Sequence, residues 1–319
     1  MILVTGGAGF IGSHFVKRAY PVLKQDMLVV DKLTYASCLE HITDEPIEFC
    51  KRDIADKRDM DYVFRTFGKK ISMIVNFAAE SHVDRSITNV DPFIMSNVMG
   101  TVNLLNYARK YKINKFVQIS TDEVFGQVYD SSFTEKSAIN PRNPYAASKA
   151  AAEMFILSYQ NTHNYPSIII NSSNNFGPFQ YPEKLIPVAI NKLLKDEQVP
   201  IYGSGMQVRD WIYVEDNVDA IITIIQKGEF GERYCVGGEN ELENISLVKK
   251  IAEYLGKDPG LIKYVNDRPG HDLKYSTNIS KMRSLGWEPK TNFDSALKNT
   301  IEWYKERFKE KNEDRISVL

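Results

Sequence analysis

Side chains that can move protons lie close together in the middle of this 319-residue chain. Asp122 and Glu123 are adjacent carboxylates that directly follow Thr121, and Tyr145 and Lys149 are four residues apart in the segment PYAASKA. Residues at that spacing share one face of a helix, so the phenol and the ammonium are predicted neighbours. A phenol with a reference pKa of about 10 is a poor base at neutral pH, and we expect the positive charges of Lys149 and of a bound nicotinamide to lower the pKa of Tyr145. Because the same spacing also occurs in surface pairs on ordinary helices, it needs a second signal.

The first residues of the chain supply that signal, because they predict a dinucleotide site. Residues 2–13 read ILVTGGAGFIGS, a strand followed by the order GxGxxG and then by a helix, and Gly6 adds the related GxxGxxG spacing. Glycines in this order allow a tight turn and let the backbone approach a pyrophosphate, which then lies at the N-terminus of the helix. The second predicted strand ends at Asp31, 19 residues after Gly12. An acid at about this distance binds a ribose 2′-hydroxyl and repels a 2′-phosphate, so the sequence predicts NAD rather than NADP.

Short β-rich runs alternate with helical patterns through the first half of the chain, which predicts an α/β fold with a doubly wound parallel sheet of the Rossmann type. Such sheets bind ligands at the carboxyl ends of their strands, where Ser120 and Thr121 lie. The second half is less regular, and we expect it to form a smaller C-terminal α/β substrate-binding domain. The predicted strands are Ile2–Thr5, Met27–Asp31, Ile47–Cys50, Ile71–Phe77, Lys115–Ile119 and Ser167–Asn171. The predicted helices are Phe10–Leu23, Phe93–Lys110, Pro144–Asn161, Lys184–Leu194, Glu215–Gln226, Ile245–Leu255 and Phe293–Phe308.

Composition excludes several classes of protein. Hydrophobic residues make up 43% and charged residues 25%, which is typical of a globular protein and not of a disordered or collagen-like one. A net charge of −1 provides no field that would draw the chain to nucleic acid or to a membrane. The three cysteines are scattered, and no group of residues has metal-ligand spacing, so we expect neither disulfides nor a metal. We expect a cytoplasmic protein with a small-molecule partner.

Several segments together resemble one enzyme family. TGGAGFIGS, Asp31, Asn97 in SNVMGT, Ser120-Thr121 and YAASK resemble the extended short-chain dehydrogenase/reductases that act on nucleotide sugars. The segments DKLTYAS, NFAAESHVDRSI, STDEVFG, SSNNFGP, IYGSG, RDWIYVED and DRPGHD are similar to those of the dehydratases in that family. The resemblance covers residue 2 to about residue 305. It implies an NAD-dependent hydro-lyase that converts a nucleotide-diphospho-hexose into a 4-keto-6-deoxy sugar. The substrate that the resemblance favours is dTDP-glucose.

The resemblance also assigns roles to the acid–base groups. Tyr145 would deprotonate the C4 hydroxyl while NAD takes the C4 hydride, assisted by Thr121 and Lys149. Glu123 would remove the acidified C5 proton, and Asp122, held protonated, would donate to the departing C6 hydroxyl. Two neighbouring carboxylates raise one pKa, so one can act as acid while the other acts as base. The hydride then returns to C6, and NAD ends unchanged.

Binding residues follow from the same resemblance. Asp53 is a candidate for the adenine edge, although as an isolated acid it could equally cap a helix. The implied cofactor residues are Gly6, Gly9, Phe10, Ile11, Gly12, Asp31, Lys32, Thr34, Asp53, Ile54, Ala78, Ala79, Asn97, Ser120, Tyr145 and Lys149. The implied substrate residues are Ser81, His82, Asn174, Lys184, Leu185, Pro200, Tyr202, Arg209, Arg268, His271 and Tyr275.

Domain limits and assembly complete the expectations. Residues 1–171, with about 204–233, are assigned to the NAD-binding domain, and residues 172–203 and 234–319 to the nucleotide-sugar domain. Helices Phe93–Lys110 and Tyr145–Asn161 carry apolar residues on more than one face, which indicates a second partner surface. The resemblance implies that they form the four-helix interface of a homodimer.

Three other functions stay open at this point. The adjacent carboxylates argue against an epimerase or decarboxylase of nucleotide sugars, and the presence of Thr121, Tyr145 and Lys149 argues against a non-enzymatic NAD sensor. A dehydratase with a UDP-linked substrate, acting across C4 and C6 or across C5 and C6, would use a similar set of residues. Ser173, where the family usually has cysteine, and Phe125, Phe176 and Phe179, where it usually has tyrosine, leave the choice between thymidine and uridine open.

Overall fold

Seven parallel strands form the large sheet at the centre of the molecule. The computed structural model describes residues 1–316, with side chains through Lys309. The strands are β1 (Ile2–Thr5), β2 (Met27–Asp31), β3 (Glu48–Lys51), β4 (Met73–Asn76), β5 (Phe116–Thr121), β6 (Ser167–Ser172), β7 (Asn174–Phe176), β8 (Val199–Tyr202), β9 (Val208–Tyr213), β10 (Arg233–Val236), β11 (Glu241–Glu243) and β12 (Ile262–Val265). The sheet order is β3-β2-β1-β4-β5-β6-β10. This order contains the doubly wound sequence 3-2-1-4-5-6, so the predicted fold class is confirmed.

Helices cover both faces of that sheet. They are α1 (Phe10–Leu23), α2 (Lys57–Phe67), α3 (Val83–Thr88), α4 (Asp91–Phe93), α5 (Gly100–Lys110), α6 (Pro144–His163), α7 (Leu185–Leu194), α8 (Val214–Lys227), α9 (Asn244–Leu255), α10 (Ser280–Ser284) and α11 (Phe293–Ile316). One apolar layer joins α1 and α8 to the sheet, and another joins α2, α5 and α6 to its opposite face. Parallel strands that are buried on both faces consist of continuous apolar runs. The runs ILVT and MLVV therefore predicted β1 and β2 from the sequence.

The smaller unit is built around two small sheets. Strand β9 pairs with β7 and β11, and β8 pairs with β12. Helices α7, α9 and α11 pack against these strands around a separate apolar core. The two units therefore have their own cores, and the chain passes between them several times.

Two strands depart from the predicted domain limits. Strand β10 pairs with β6 in the large sheet through Val236, beyond the predicted limit at residue 233. Strand β9 pairs with the small sheet, although the prediction gave its residues to the NAD-binding domain. The chain crosses between the units where β9 runs into α8, because α8 packs against α1. Residues 317–319 of the predicted second domain lie outside the described residues.

The helix predicted over Phe93–Lys110 is interrupted. Residues Ile94–Met99 form a π-helical turn between α4 and α5. This turn buries Asn97, whose Nδ2 donates to the Glu80 carbonyl at 3.0 Å and to Ser148 Oγ at 2.8 Å. The Asn97 Oδ1 accepts from the Glu80 amide at 2.8 Å. A π-turn inserts one residue into the helical repeat to aim a side chain, and apolar spacing does not show such an insertion.

Candidate active site

The glycine turn after β1 brings the N-terminus of α1 to the carboxyl edge of the sheet. Gly6 has φ +69°, and a Cβ there would lie 2.5 Å from the amide nitrogen of Ala78. A Cβ at Gly12 would collide with the carbonyl oxygen of Gly6. Side chains are therefore excluded at both positions, and this cradle of backbone leads directly into the N-terminus of α1, whose first amides can bind a pyrophosphate.

Asp31 ends β2 beside this turn, and its charge is held by three donors. Its Oδ2 accepts from the amide of Ala8 at 3.1 Å, and its Oδ1 accepts from the amide of Leu33 at 2.8 Å and from Ser37 Oγ at 3.1 Å. Hydrogen bonds to an ionised carboxylate are among the strong ones. The arrangement places a fixed negative charge where a ribose is expected.

Asp53 follows β3 on the same side of the cleft. Its Oδ1 accepts from the amide of Ala55 at 2.8 Å, whereas the N-cap of α2 is Asp56, whose side chain accepts from the amide of Arg58. The alternative that Asp53 caps a helix is therefore wrong. Lys32 Nζ lies 3.9 Å from Asp53 Oδ2, and the two carry opposite charges at the far end of the cleft.

The cleft brings together all but one of the predicted cofactor residues. It is lined by Gly6, Gly9, Phe10, Ile11, Gly12, Asp31, Lys32, Thr34, Asp53, Ile54, Ala78, Ala79, Ser120, Tyr145 and Lys149. Asn97 lies behind the lining, because its amide is used by Glu80 and Ser148. Sequence reasoning missed Arg52, Gln180, Tyr181 and Glu183, which also line the cleft. The spacing of these four residues gives no sign that they line one cleft.

The proton-moving groups stand where β5 ends. Thr121 is its last residue, and Asp122–Phe125 form a 3₁₀ turn that begins there. Thr121 Oγ1 accepts from the amide of Glu123 at 3.2 Å and donates to Asp122 Oδ1 at 3.2 Å. A single hydroxyl thus caps the turn and contacts the first carboxyl.

The two carboxyls have different surroundings. Asp122 is 1% exposed, and burial, with the charges of Glu123 and Asp210, raises its pKa well above the usual value. Glu123 is half-buried, and burial raises its pKa too, but the positive charges of Lys184 and Arg209 act against that shift. Burial therefore favours the protonated form of Asp122, whereas the nearby positive charges favour the ionised form of Glu123.

Tyr145 and Lys149 face the cleft from one side of α6, as the spacing predicted. Lys149 is not among the groups that shift the pKa of Tyr145 in the protein by itself. Burial and the charges of Glu123 and Asp122 raise the pKa of Tyr145, and only a hydrogen bond with Thr121 opposes them. Lys149 Nζ donates to the carbonyl of Ile119 at 2.6 Å, and burial lowers its pKa to about 8.

A buried ion pair behind these residues escaped the sequence reasoning. Glu153 is fully buried one helical turn after Lys149, and its Oε1 accepts from Ser120 Oγ at 2.5 Å and from Asn171 Nδ2 at 2.8 Å. Arg233 Nη1 lies 2.6 Å from the other carboxylate oxygen. The spacing of Glu153 from Lys149 was visible, but Arg233 reaches it only through the pairing of β10 with β6.

Positive side chains line the substrate side of the site. Lys184 Nζ donates to the carbonyl of Ser81 at 2.5 Å. The Arg209 guanidinium donates to the carbonyl of Asp272 at 2.8 Å and lies 4.2 Å above the ring of Tyr275. These contacts fix Arg209 in one orientation, with further N–H groups left for a ligand.

A second group of predicted substrate residues lies around Asp84. Arg268 Nε is 3.3 Å from Asp84 Oδ1, and its guanidinium lies 4.5 Å from the ring centre of Tyr202. His271 Nδ1 lies 2.6 Å from Asp267 Oδ1. The ring of His271 stands nearly perpendicular to that of Tyr202, with the ring centres 6.3 Å apart. Together these residues form a cationic and aromatic surface of the kind against which a base can pack.

The remaining predicted substrate residues are more dispersed. His82 caps α3 and its Nε2 lies 3.8 Å from Glu183 Oε2. Asn174 begins β7, and its buried Oδ1 has no hydrogen-bond partner within the described residues. Leu185 begins α7 and packs on the core of the smaller unit, and Pro200 lies in β8 opposite Lys263.

Comparisons with known proteins agree with this site. The family model described as GDP-mannose 4,6 dehydratase matches residues 3–300. The chain belongs to this family. It is 44% identical to the low-salt glycan biosynthesis protein Agl12 of Haloferax volcanii, over 95% of this chain and 98% of that protein. It is 42% identical to the dTDP-glucose 4,6-dehydratase of Neisseria gonorrhoeae, over 95% of both chains.

A solved structure extends the likeness to three dimensions. DesIV, the dTDP-glucose 4,6-dehydratase from Streptomyces venezuelae with NAD and TYD bound, superposes with a TM-score of 0.92 at 40% identity. The likeness covers 96% of this chain and 97% of that one. The resemblance to the nucleotide-sugar dehydratases is therefore confirmed.

Proposed function

We propose that this protein is an NAD-dependent hydro-lyase that converts dTDP-glucose into dTDP-4-keto-6-deoxyglucose. The observation that carries the proposal is the pair Asp122 and Glu123, adjacent in sequence yet placed in unlike surroundings beside Tyr145. An oxidation at C4 alone needs one base, whereas loss of water across C5 and C6 needs an acid and a second base. The dTDP-glucose dehydratases of similar sequence support the choice of substrate.

Each acid–base group has one task in this reaction. Tyr145 takes the proton of the C4 hydroxyl, and Thr121 holds that hydroxyl in place. Glu123 removes the C5 proton and later returns it, and Asp122 gives its proton to the C6 hydroxyl, which leaves as water. NAD, when bound, supplies hydride chemistry by accepting from C4 and returning to C6. Each proton-transfer role contributes typically about 10²–10⁴-fold to the rate.

The cradle and Asp31 fit NAD. The turn between Gly6 and Gly12 leaves room only for backbone, so its amides can approach a pyrophosphate. Asp31 presents a carboxylate for the ribose hydroxyls and would repel a 2′-phosphate. Lys149, fixed on the carbonyl of Ile119, stands at the inner end of the cleft beside Ser120.

Substrate binding is assigned to the cationic side of the site. We infer that Lys184, Arg209 and Arg268 bind the diphosphate, since guanidinium groups match phosphate oxygens in geometry and charge. Tyr202 and Pro200 would then flank the base. His82, Ser81, Asn174, Leu185, His271 and Tyr275 complete the proposed substrate site.

We also propose that the protein is a homodimer. Exposed apolar side chains lie on the π-turn and α6, with Met95 49% exposed and Ile94, Met154 and Phe155 each 43% exposed. Clustered apolar surface of this kind marks an interface. Sedimentation of a stable monomer at micromolar concentration would contradict the proposal, and Met95→Lys with Phe155→Lys should give that monomer.

We also infer the location of the protein and the ligand of each structural unit. We place the protein in the cytoplasm, which the free thiols of Cys38, Cys50 and Cys235 support. Among residues 1–316, none of the helices has both the length and the apolar composition to cross a membrane. We assign NAD to the unit of the large sheet and the nucleotide sugar to the smaller unit.

The deciding experiment compares nucleotide sugars. The purified protein is incubated with dTDP-glucose and with UDP-glucose, and 4-keto product is detected by its alkaline absorbance. We expect product from dTDP-glucose at a higher kcat/KM than from UDP-glucose. A faster reaction with UDP-glucose would instead support the UDP-linked dehydratase, and C4 inversion without 4-keto product would support an epimerase.

A further inference from the structure

Two residues one turn apart on α6 hold neighbouring residues of β5. Lys149 Nζ donates to the carbonyl of Ile119 at 2.6 Å, and Glu153 Oε1 accepts from Ser120 Oγ at 2.5 Å. Because Lys149 and Glu153 are four residues apart, they lie on the same face of the helix. That face of α6 is therefore attached to two successive residues near the end of β5.

Asn171 and Arg233 extend this attachment to the last residue of β5. Asn171 Nδ2 donates to the same Glu153 oxygen at 2.8 Å and to the carbonyl of Thr121 at 2.8 Å. Arg233 Nη1 lies 2.6 Å from the other carboxylate oxygen of Glu153 and donates to Asn171 Oδ1 at 2.9 Å. Glu153 and Asn171 are fully buried, so these contacts are shielded from bulk water.

The attached elements carry the two halves of the acid–base site. Helix α6 carries Tyr145 about two turns before Glu153, and the end of β5 leads from Thr121 into Asp122 and Glu123. A shift of α6 along β5 would move the phenol relative to the hydroxyl of Thr121. A misplacement of reacting groups by about 1 Å can reduce a rate by about 10²-fold.

Stability by itself does not explain a charged pair in this place. Taking two charges out of water costs free energy that their attraction only partly returns, and apolar residues of similar volume often stabilise a buried site at least as well. A carboxylate offers directed acceptors that an apolar side chain lacks, and Glu153 accepts from Ser120 and Asn171 at the same time. The pair of Glu153 and Arg233 is therefore suited to fixing positions.

We propose that Glu153 is a positioning residue for the oxidation at C4, an inference that rests on the proposed function. Paired with Arg233, its carboxylate keeps α6 in register with the end of β5. The phenol of Tyr145 then meets the C4 hydroxyl that Thr121 holds. Glu153 is fully buried and does not line the cleft, so it acts through its neighbours and transfers no proton.

The test measures the oxidation step by itself. The substrate dTDP-6-deoxyglucose has a C4 hydroxyl but no C6 hydroxyl, so it can be oxidised but cannot lose water. Enzyme with bound NAD is mixed rapidly with it, and the absorbance of NADH gives a rate constant and an amplitude. In Glu153→Gln we expect the rate constant to fall by about 10–100-fold. Glu153→Asp keeps the carboxylate and should recover most of that loss.

Two further variants separate position from folding. Asp216→Asn removes another buried carboxylate, which accepts from the amide and the hydroxyl of Thr291 and does not line the cleft. Any loss of folded protein in this control should lower the amplitude and leave the rate constant unchanged. The double variant Glu153→Met with Arg233→Met leaves neither charge of the pair unpaired. It should fold even if Glu153→Gln does not, as urea unfolding would show, and it should oxidise the substrate as slowly.

The contrary results are distinct. A wild-type rate constant with only a smaller amplitude in Glu153→Gln would overturn the positioning role and leave Glu153 a residue that stabilises the fold. A wild-type rate constant in the double variant would overturn it as well. Wild-type enzyme that oxidises no dTDP-6-deoxyglucose and forms no 4-keto product from dTDP-glucose would instead overturn the proposed function.

Discussion

Asp31 and Asp122 are both buried aspartates at the carboxyl edge of the same sheet, and they are prepared for opposite tasks. Asp31, 6% exposed, accepts hydrogen bonds from Ala8, Leu33 and Ser37. Asp122, 1% exposed, accepts one from Thr121 and has two further carboxyl groups in its surroundings. Several donors stabilise a negative charge, whereas burial with a single donor and with other carboxyl groups nearby favours a bound proton. The difference shows that the residue type and its strand position do not settle what a carboxyl does; its neighbours do.

We expect the largest loss of turnover from a variant that removes the proton of the Asp122 carboxyl. Asp122→Asn keeps the shape of the side chain but cannot protonate a leaving hydroxyl, so turnover of dTDP-glucose should fall by about 10²–10⁴-fold. A substrate with fluoride at C6 needs less acid assistance and should recover most of the lost rate. Equal losses with both substrates in a steady-state assay would show that Asp122 is not the acid.

A loss at the lower end of that range is expected at the second carboxyl. Glu123→Gln should reduce exchange of the C5 proton by about 10²-fold, because its amide cannot act as the base. The measurement is the incorporation of solvent deuterium at C5, followed by mass spectrometry. Tyr145→Phe is the control, since without the C4 ketone the C5 proton is not acidified and exchange should also stop. Wild-type exchange in Glu123→Gln would refute the assignment.

We expect a smaller effect at Asp31, whose carboxylate is proposed to bind NAD and to transfer no proton. Asp31→Asn removes a charged acceptor, and hydrogen bonds to charged groups contribute about 1.5–3 kcal/mol. The variant should bind NAD about 10–100-fold more weakly and lose part of its preference over NADP. Calorimetric titration after removal of bound nucleotide gives both affinities. Asp53→Asn, at the edge of the cleft, should change them less, and the reverse order would contradict the role of Asp31.

Asp210 is buried like Asp122 but accepts from backbone amides like Asp31. We expect its ionisation to change the stability of the protein. It is 1% exposed and accepts from the amides of Gly238 and Asn240, yet burial still raises its pKa to about 6. The folded state binds this proton more tightly than the unfolded state does, so stability falls as pH rises from about 4 to about 6. At pH 7 the ionised carboxylate of Asp210 lowers the free energy of unfolding by about 3 kcal/mol.

Asp210→Asn should make that decline shallower. Urea unfolding at several pH values between 4 and 7 measures the slope, and the wild-type protein serves as the reference. A variant whose free energy of unfolding falls with pH as steeply as that of the wild type would place the ionisation elsewhere. Because Asp210 is among the charges that raise the pKa of Asp122, the same variant also tests whether the acid depends on its neighbour.

Local features of the fold and site could be predicted well. The glycine turn, Asp31 and the spacing of Tyr145 from Lys149 each depend on residues close together in the chain, where backbone geometry leaves few choices. The π-helical turn at Ile94–Met99 could not be predicted, because the apolar residues of this segment are equally compatible with a regular α-helix. The limits near β9 and β10 were missed because strand pairing, not composition, decides which sheet a short segment joins.

The sequence by itself determined the fold class, the choice of NAD and the set of proton-moving groups, because these follow from motifs, apolar periodicity and residue chemistry. Only the tertiary structure decided how those groups are prepared. It brought Asp210 near Asp122, raised the pKa of Tyr145 through burial and the neighbouring carboxyl groups, and engaged Lys149 with the carbonyl of Ile119. Desolvation and charge act through space between residues far apart in the chain, so the protonation states of the site are properties of the folded protein.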